Sequence, residues 1–166
     1  MYHHVVSGLA FAVLLVGQPI FAADPPVASL EPLYFLSGEW RGTDGEGKSY
    51  RVIYQLTSGG TSLTETLTPS DSPAMTTMYY TDGEHLMLTH YCSMNNQPRM
   101  RANTSEPGAK ALVFVFLDAT NLKSPSDAHM HQVTFDFKDR DHFNQVWVLS
   151  KAGKELPKTV TFERIK

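Results

Sequence analysis

Two pairs of side chains with ligand chemistry stand out in this 166-residue chain: His90-x-Cys92 and His129-x-His131. Each pair has a spacing of two inside a stretch that alternates as a β-strand does, and that spacing puts both members on one face. Leu86, Leu88, His90 and Cys92 share one parity, and His129, His131, Val133, Phe135 and Phe137 share another. Both pairs therefore ride on apolar faces, which point into a core or a cavity. Three imidazoles and a thiol aimed inward suit three kinds of chemistry. They have the donor types of a tetrahedral zinc site or of a copper site. Equally, they suit the polar floor of a small-molecule pocket, or a satisfied polar network in a filled core.

Glu65 adds a carboxylate on the apolar parity of Leu63-x-Glu65-x-Leu67. A carboxylate facing a barrel interior is costly unless it is paired or hydrogen-bonded, and Arg99 or a histidine is its expected partner. On the ligand-binding reading, Glu65, His90, Arg99, His129 and His131 form a polar end in an otherwise apolar cavity. Trp147, on the stripe it shares with Phe143, contributes to the wall. On the metal reading, His90, Cys92, His129 and His131 are the donors, and zinc, copper or haem is the bound group. The ligand-binding reading requires no cofactor. No Gly-x-Ser-x-Gly turn or metalloprotease motif occurs, so no catalytic residue is assigned.

The elements that must position these residues follow from composition and punctuation. A chain of this length with 42% hydrophobic residues suits one domain with a real core. The formal charge is −3 and Lys and Arg form no run, which excludes the electrostatic footprint of a nucleic-acid binder. Val5 to Ala23 is apolar and uncharged and ends in Phe21-Ala22-Ala23, so residues 1–22 read as a secretory signal peptide. The expected destination is periplasmic or secreted, with no membrane span after processing. Cys92 is the single cysteine, which rules out an internal disulfide and makes burial its expected state.

Residues 23–37 read as a Pro-rich tether and a short helix, with Leu30, Leu33 and Leu36 on one side. From 38 to 166 the chain alternates, giving ten strands near 39–43, 49–57, 62–68, 74–81, 85–93, 97–103, 111–117, 128–138, 142–150 and 159–165. Short turns such as Gly59-Gly60, Asp82-Gly83, Asn95-Asn96, Pro107-Gly108 and Ala152-Gly153 link them. Short links imply antiparallel neighbours, and a meander this long curls shut to remove its edges. The expected fold is an all-β, antiparallel up-and-down barrel with a short N-terminal helix. The long link from Asp118 to Asp127 is a candidate lid. Leu112 to Leu117 is apolar on both parities, so its outer face calls for cover by the helix or by a second subunit in a homodimer.

Gly38-Glu39-Trp40-Arg41-Gly42, placed on the first strand after a short helix, resembles the Gly-x-Trp opening of the calycin barrels, the lipocalins and fatty-acid-binding proteins. The longer run from Leu36 to Gly42 is similar to the nitrobindin-like haem-binding barrels. Thr89-His90-Tyr91-Cys92, Asn96 to Met100 and Asp127 to His131 resemble exported bacterial lipocalin-like proteins of unknown function. The resemblance implies that Arg164 on the last strand packs over Trp40, with the indole the larger contributor to stability. It does not carry the haem function across, because those barrels take their ligand from a histidine close to the carboxyl terminus. Here the last histidine is His142. The expected partner is a small apolar or amphipathic molecule; a structural or interaction module with a filled core is the third reading.

Overall fold

Alternation of β-branched and aromatic residues with polar ones builds ten strands in a computed structural model that describes residues 28–103 and 110–166. They are β1 (Gly38–Asp44), β2 (Ser49–Thr57), β3 (Ser62–Pro69), β4 (Met75–Asp82), β5 (His85–Tyr91), β6 (Pro98–Ala102), β7 (Ala111–Ala119), β8 (His129–Phe137), β9 (His142–Lys151) and β10 (Lys154–Arg164). One short helix, α1 (Glu31–Tyr34), precedes them. Every strand is antiparallel to its neighbours in chain order, and β1 pairs with β10 to close the barrel. The expected signal peptide, the tether up to residue 27 and the expected Pro107-Gly108 turn lie outside the described residues. Among the described residues, no helix is long and apolar enough to cross a membrane.

Closure depends on the first and last strands. Trp40 and Arg164 are register partners, and the Arg164 guanidinium carbon lies 4.1 Å from the Trp40 ring centroid. Arg164 also donates to the carbonyls of Ser37 (2.9 Å), Phe35 and Arg140 (3.0 Å), and pairs with Asp141 at 3.1 Å. The indole N–H of Trp40 donates to the Leu36 carbonyl at 2.7 Å. These bonds hold α1 as a plug in the barrel end where β1 begins and β10 finishes, with Leu30, Leu33 and Leu36 packed into the core. The helix therefore does not cover the outer face of β7, where Val113 and Val115 are half-buried and Leu117 is exposed.

Two backbone irregularities shape the opposite end. Between β8 and β9 the register runs Met130 opposite Leu149 and then Gln132 opposite Val148, so His131 is an extra residue in a bulge. Strand β10 begins at Lys154, five residues before the expected Thr159, and runs through Pro157. Its pairing with β1 ends at Val160 opposite Asp44, whereas its pairing with β9 continues to Lys154. Residues 154–159 thus extend past β1 with a free edge, the setting in which a strand tolerates proline.

Candidate functional site

The interior is filled at one end and open at the other. Near α1, Trp40, Tyr54, Phe135, Phe143 and Phe162 pack edge-on or stacked, with ring centroids of neighbouring pairs 4.9 to 6.3 Å apart. Beyond them lies a cavity of about 600 Å³, within the usual range for small-molecule sites. Leu67, Met75, Met130, Leu149, Leu156 and Val160 give it a largely apolar wall. The expected lid, residues 118–127, sits at the same end but lines none of the cavity. It is pinned elsewhere, by Thr120 to Gln97, Asn121 to Asn95 and Ala152 to Ser126.

His90 and Trp147 also contribute to the wall. The His90 imidazole is buried, lies 4.7 Å from the Trp147 ring and shares a 2.9 Å hydrogen bond through Nδ1 with the Thr77 hydroxyl. Burial lowers its pKa to about 4, so the ring is neutral at pH 7. Neither His90 Nε2 nor Trp147 Nε1 has a hydrogen-bond partner among the described residues. Two unpaired buried nitrogens on adjoining rings at a cavity wall are uncommon in a native fold, where buried polar atoms are otherwise satisfied.

Glu65 sits on the same row as His90, two strands away. It is opposite Thr77 on β4, which in turn is opposite His90 on β5, so the three cross adjacent strands on one inner row. Its Oε2 accepts from Tyr79 (2.7 Å), Tyr54 (2.8 Å) and Gln145 (3.0 Å). Burial raises the Glu65 pKa against the opposing pull of these donors, which favours the neutral acid. Tyr54 and Tyr79 are held well above the usual phenol range by the same burial. Glu65 does not line the cavity, and its partners are two tyrosines and an amide, in place of the expected Arg99 or histidine.

Charge gathers at the mouth. The Asp44 carboxylate pairs with Lys158 at 2.8 Å, accepts from Tyr50 at 2.9 Å and takes the backbone N–H groups of Glu46 and Lys48 at 3.0 Å each. Its pKa is held far below the carboxylate range, chiefly by Lys158, and the Lys158 pKa is raised in return. Lys158 also reaches Glu46 at 3.5 Å, and Lys48 pairs with Asp71. The β10 extension is thereby tied to the β1–β2 turn across the opening.

The other expected site residues are placed elsewhere. Arg99 faces outward and forms a two-point ion pair with Asp118 on β7 (Nε 2.8 Å, Nη2 2.5 Å), because the inward parity of β6 belongs to Pro98 and Met100. His129 is buried and His131 half-buried, yet neither lines the cavity; the bulge gives that position to Met130. Their rings pack against Phe116, at 4.5 and 5.2 Å. Cys92 is buried in the turn after β5, which raises its thiol pKa. Among the described residues, no three His, Cys, Asp or Glu side chains converge as a metal site, so His90, Cys92, His129 and His131 do not form the four-donor set. Parity reasoning missed Asp44, Tyr50 and Lys158 at the mouth and Gln145 behind the wall. Of these, Gln145 carried a readable signal, since it shares its parity with Phe143 and Trp147.

No family model matches the chain, and no curated protein matches it. Among solved structures, a protein of unknown function of the DUF3598 family from Nostoc punctiforme aligns with a TM-score of 0.54 at 17% identity, over 91% of this chain and 54% of that one. The chain thus spans about half of that neighbour's length. Rv2717c from M. tuberculosis aligns with a TM-score of 0.57 at 15% identity, over 82% of this chain and 97% of that one. At these identities the likeness is one of fold, and it is consistent with the calycin-like barrel implied by Gly38-x-Trp40.

Proposed function

We propose that the protein binds a small, largely apolar molecule whose single polar end is a neutral oxygen, held at His90 and Trp147. The observation that carries this reading is the pair of unpartnered buried nitrogens, His90 Nε2 and Trp147 Nε1, on two rings that contribute to a cavity of about 600 Å³ whose wall is apolar away from its charged mouth. Trp147 can only donate, whereas neutral His90 donates or accepts according to which ring nitrogen Thr77 satisfies. A hydroxyl answers both possibilities and a carbonyl answers two donors. A carboxylate is disfavoured at this end, because His90 is neutral and offers no counter-charge, and desolvating an unpaired charge is costly. In the same reading the mature protein is an exported binding protein, periplasmic or secreted once residues 1–22 are removed.

The test is a titration of the purified protein with tetradecanol, methyl tetradecanoate and tetradecanoate, followed by tryptophan fluorescence. Alcohol and ester should bind at least tenfold more tightly than the carboxylate at pH 7. His90→Ala should weaken the alcohol by about threefold to tenfold, the worth of one hydrogen bond of roughly 0.5–1.5 kcal/mol. Equal affinity for all three in wild type and variant would refute the assignment. Native mass spectrometry of protein taken from its own compartment identifies the natural occupant, and a haem Soret band in that sample would replace this reading with a haem-binding one.

A further inference from the structure

The bulge that removes His131 from the cavity creates a second constellation. His129 Nε2 and His131 Nδ1 face each other at 3.3 Å, and His129 Nδ1 lies 2.7 Å from the Asp127 carbonyl. A carbonyl only accepts, so Nδ1 carries the His129 proton and Nε2 is left with a lone pair. Two nitrogens bound at 2.0–2.1 Å to a tetrahedral ion stand about 3.3–3.4 Å apart, so the observed separation is the bite of such an ion. A backbone carbonyl holding the far nitrogen is the usual support of a metal-ligating histidine, because it fixes tautomer and ring orientation. Phe116 packs on both rings, at 4.5 and 5.2 Å, and limits their freedom before any ion arrives.

We propose that His129 Nε2 and His131 Nδ1 form a two-histidine site for a divalent transition metal, copper(II) or zinc(II), separate from the ligand cavity. Binding needs one tautomer change: the proton on His131 Nδ1 moves to its Nε2, and both imidazoles ligate in the neutral form. Among the described residues no third donor converges on the pair, so the remaining coordination positions belong to water or to a small exogenous ligand. An open site of this kind favours copper(II) over zinc(II), following the general affinity order for nitrogen ligands.

The experiment uses tag-free full-length protein with His3 and His4 replaced by alanine, because a free amino terminus followed closely by histidine chelates copper(II) by itself. Calorimetric titration with zinc(II) and with copper(II) should give one ion per chain, with copper(II) the tighter. Electron paramagnetic resonance of the copper(II) form should show coupling to two imidazole nitrogens. His129→Ala and His131→Gln should each weaken binding at least tenfold, with thermal melts confirming that both variants fold. His90→Ala should leave metal binding unchanged, which separates this site from the cavity. Metal affinity that survives both substitutions, copper(II) coupled to fewer than two imidazoles, or no binding at all would overturn the proposal.

Discussion

His90 is where burial and chemistry conflict most directly. The neutral ring is stable in the fold and its protonated form is not, so the folded pKa of about 4 lies below the unfolded value near 6.5. The unfolded chain then binds more protons between these values. Stability is complete above pH 6.5 and falls as pH drops toward 4, by about 3 kcal/mol at roughly 1.4 kcal/mol per unit. Urea denaturation from pH 7 to pH 4 should show this slope in wild type and lose it in His90→Gln; parallel curves would mean that His90 does not titrate as described. Glu65 has the opposite sign. Its pKa is raised by burial, so its contribution is present at low pH and is lost as pH rises through the folded value. Glu65→Gln keeps an acceptor for Tyr54, Tyr79 and Gln145 without a charge, and it should stabilise the protein at pH 7 with the gain vanishing near pH 4. Glu65→Leu leaves the Tyr54 and Tyr79 hydroxyls without their acceptor, while the Gln145 amide keeps Tyr54 at 3.4 Å, and should cost about 1–3 kcal/mol for each group left unsatisfied. A loss with Gln as large as that with Leu would show that the ionised carboxylate is required.

At the scale of elements, Arg164 does more than cover an indole. A cation–π contact is worth about 0.5–2 kcal/mol, whereas truncating a buried tryptophan costs about 3–5. Arg164 also bonds three carbonyls and Asp141, joining α1, β10 and the β8–β9 turn, at about 0.5–1.5 kcal/mol for each bond. Arg164→Ala should therefore approach Trp40→Ala in cost, narrowing the difference expected from the contact alone. The double variant should lose less than the sum, because the two residues share one joint. Denaturation midpoints of the three variants check this, and strict additivity would refute the joint. Both residues were legible from Gly38-x-Trp40 and the position of Arg164, as were all ten strands from their alternation. The His131 bulge was not, since no glycine or proline marks it and unbroken parity assigns His129 and His131 to the wall that Met130 occupies. Arg99 was misplaced for another reason. Pro98, Met100 and Ala102 were the apolar parity of β6, and pairing Arg99 with Glu65 answered a buried carboxylate whose actual partners, Tyr54, Tyr79 and Gln145, are neutral.

The whole barrel combines a packed half with a hollow half, and the β10 extension flanks the mouth of the hollow half. Residues 154–159 pair with β9 alone, so this part of the wall is held to β1 and β2 by side chains, chiefly Lys158 on Asp44. The strand expected from Thr159 runs on through Pro157 to Lys154; because the extension has a free edge, the missing proline N–H leaves no ladder bond broken, and a contact between residues so distant in sequence carries no local signal. A bound molecule exchanges through the mouth that the extension and the β1–β2 turn flank, and the Lys158–Asp44 pair narrows it. Lys158→Gln should raise the dissociation rate of bound tetradecanol severalfold and also lower thermal stability, because the buried Asp44 carboxylate loses its counter-ion, whereas Lys151→Gln, on the exposed end of β9, should leave both unchanged. Acid should not mimic the effect between pH 7 and 5, because Lys158 keeps the Asp44 carboxyl ionised far below that range. His90, with a pKa of about 4, also stays neutral over that range, so the affinity should hold between pH 7 and 5. Stopped-flow displacement of tetradecanol by a fluorescent competitor measures both effects. A dissociation rate unchanged by Lys158→Gln would place the exit route elsewhere in the wall.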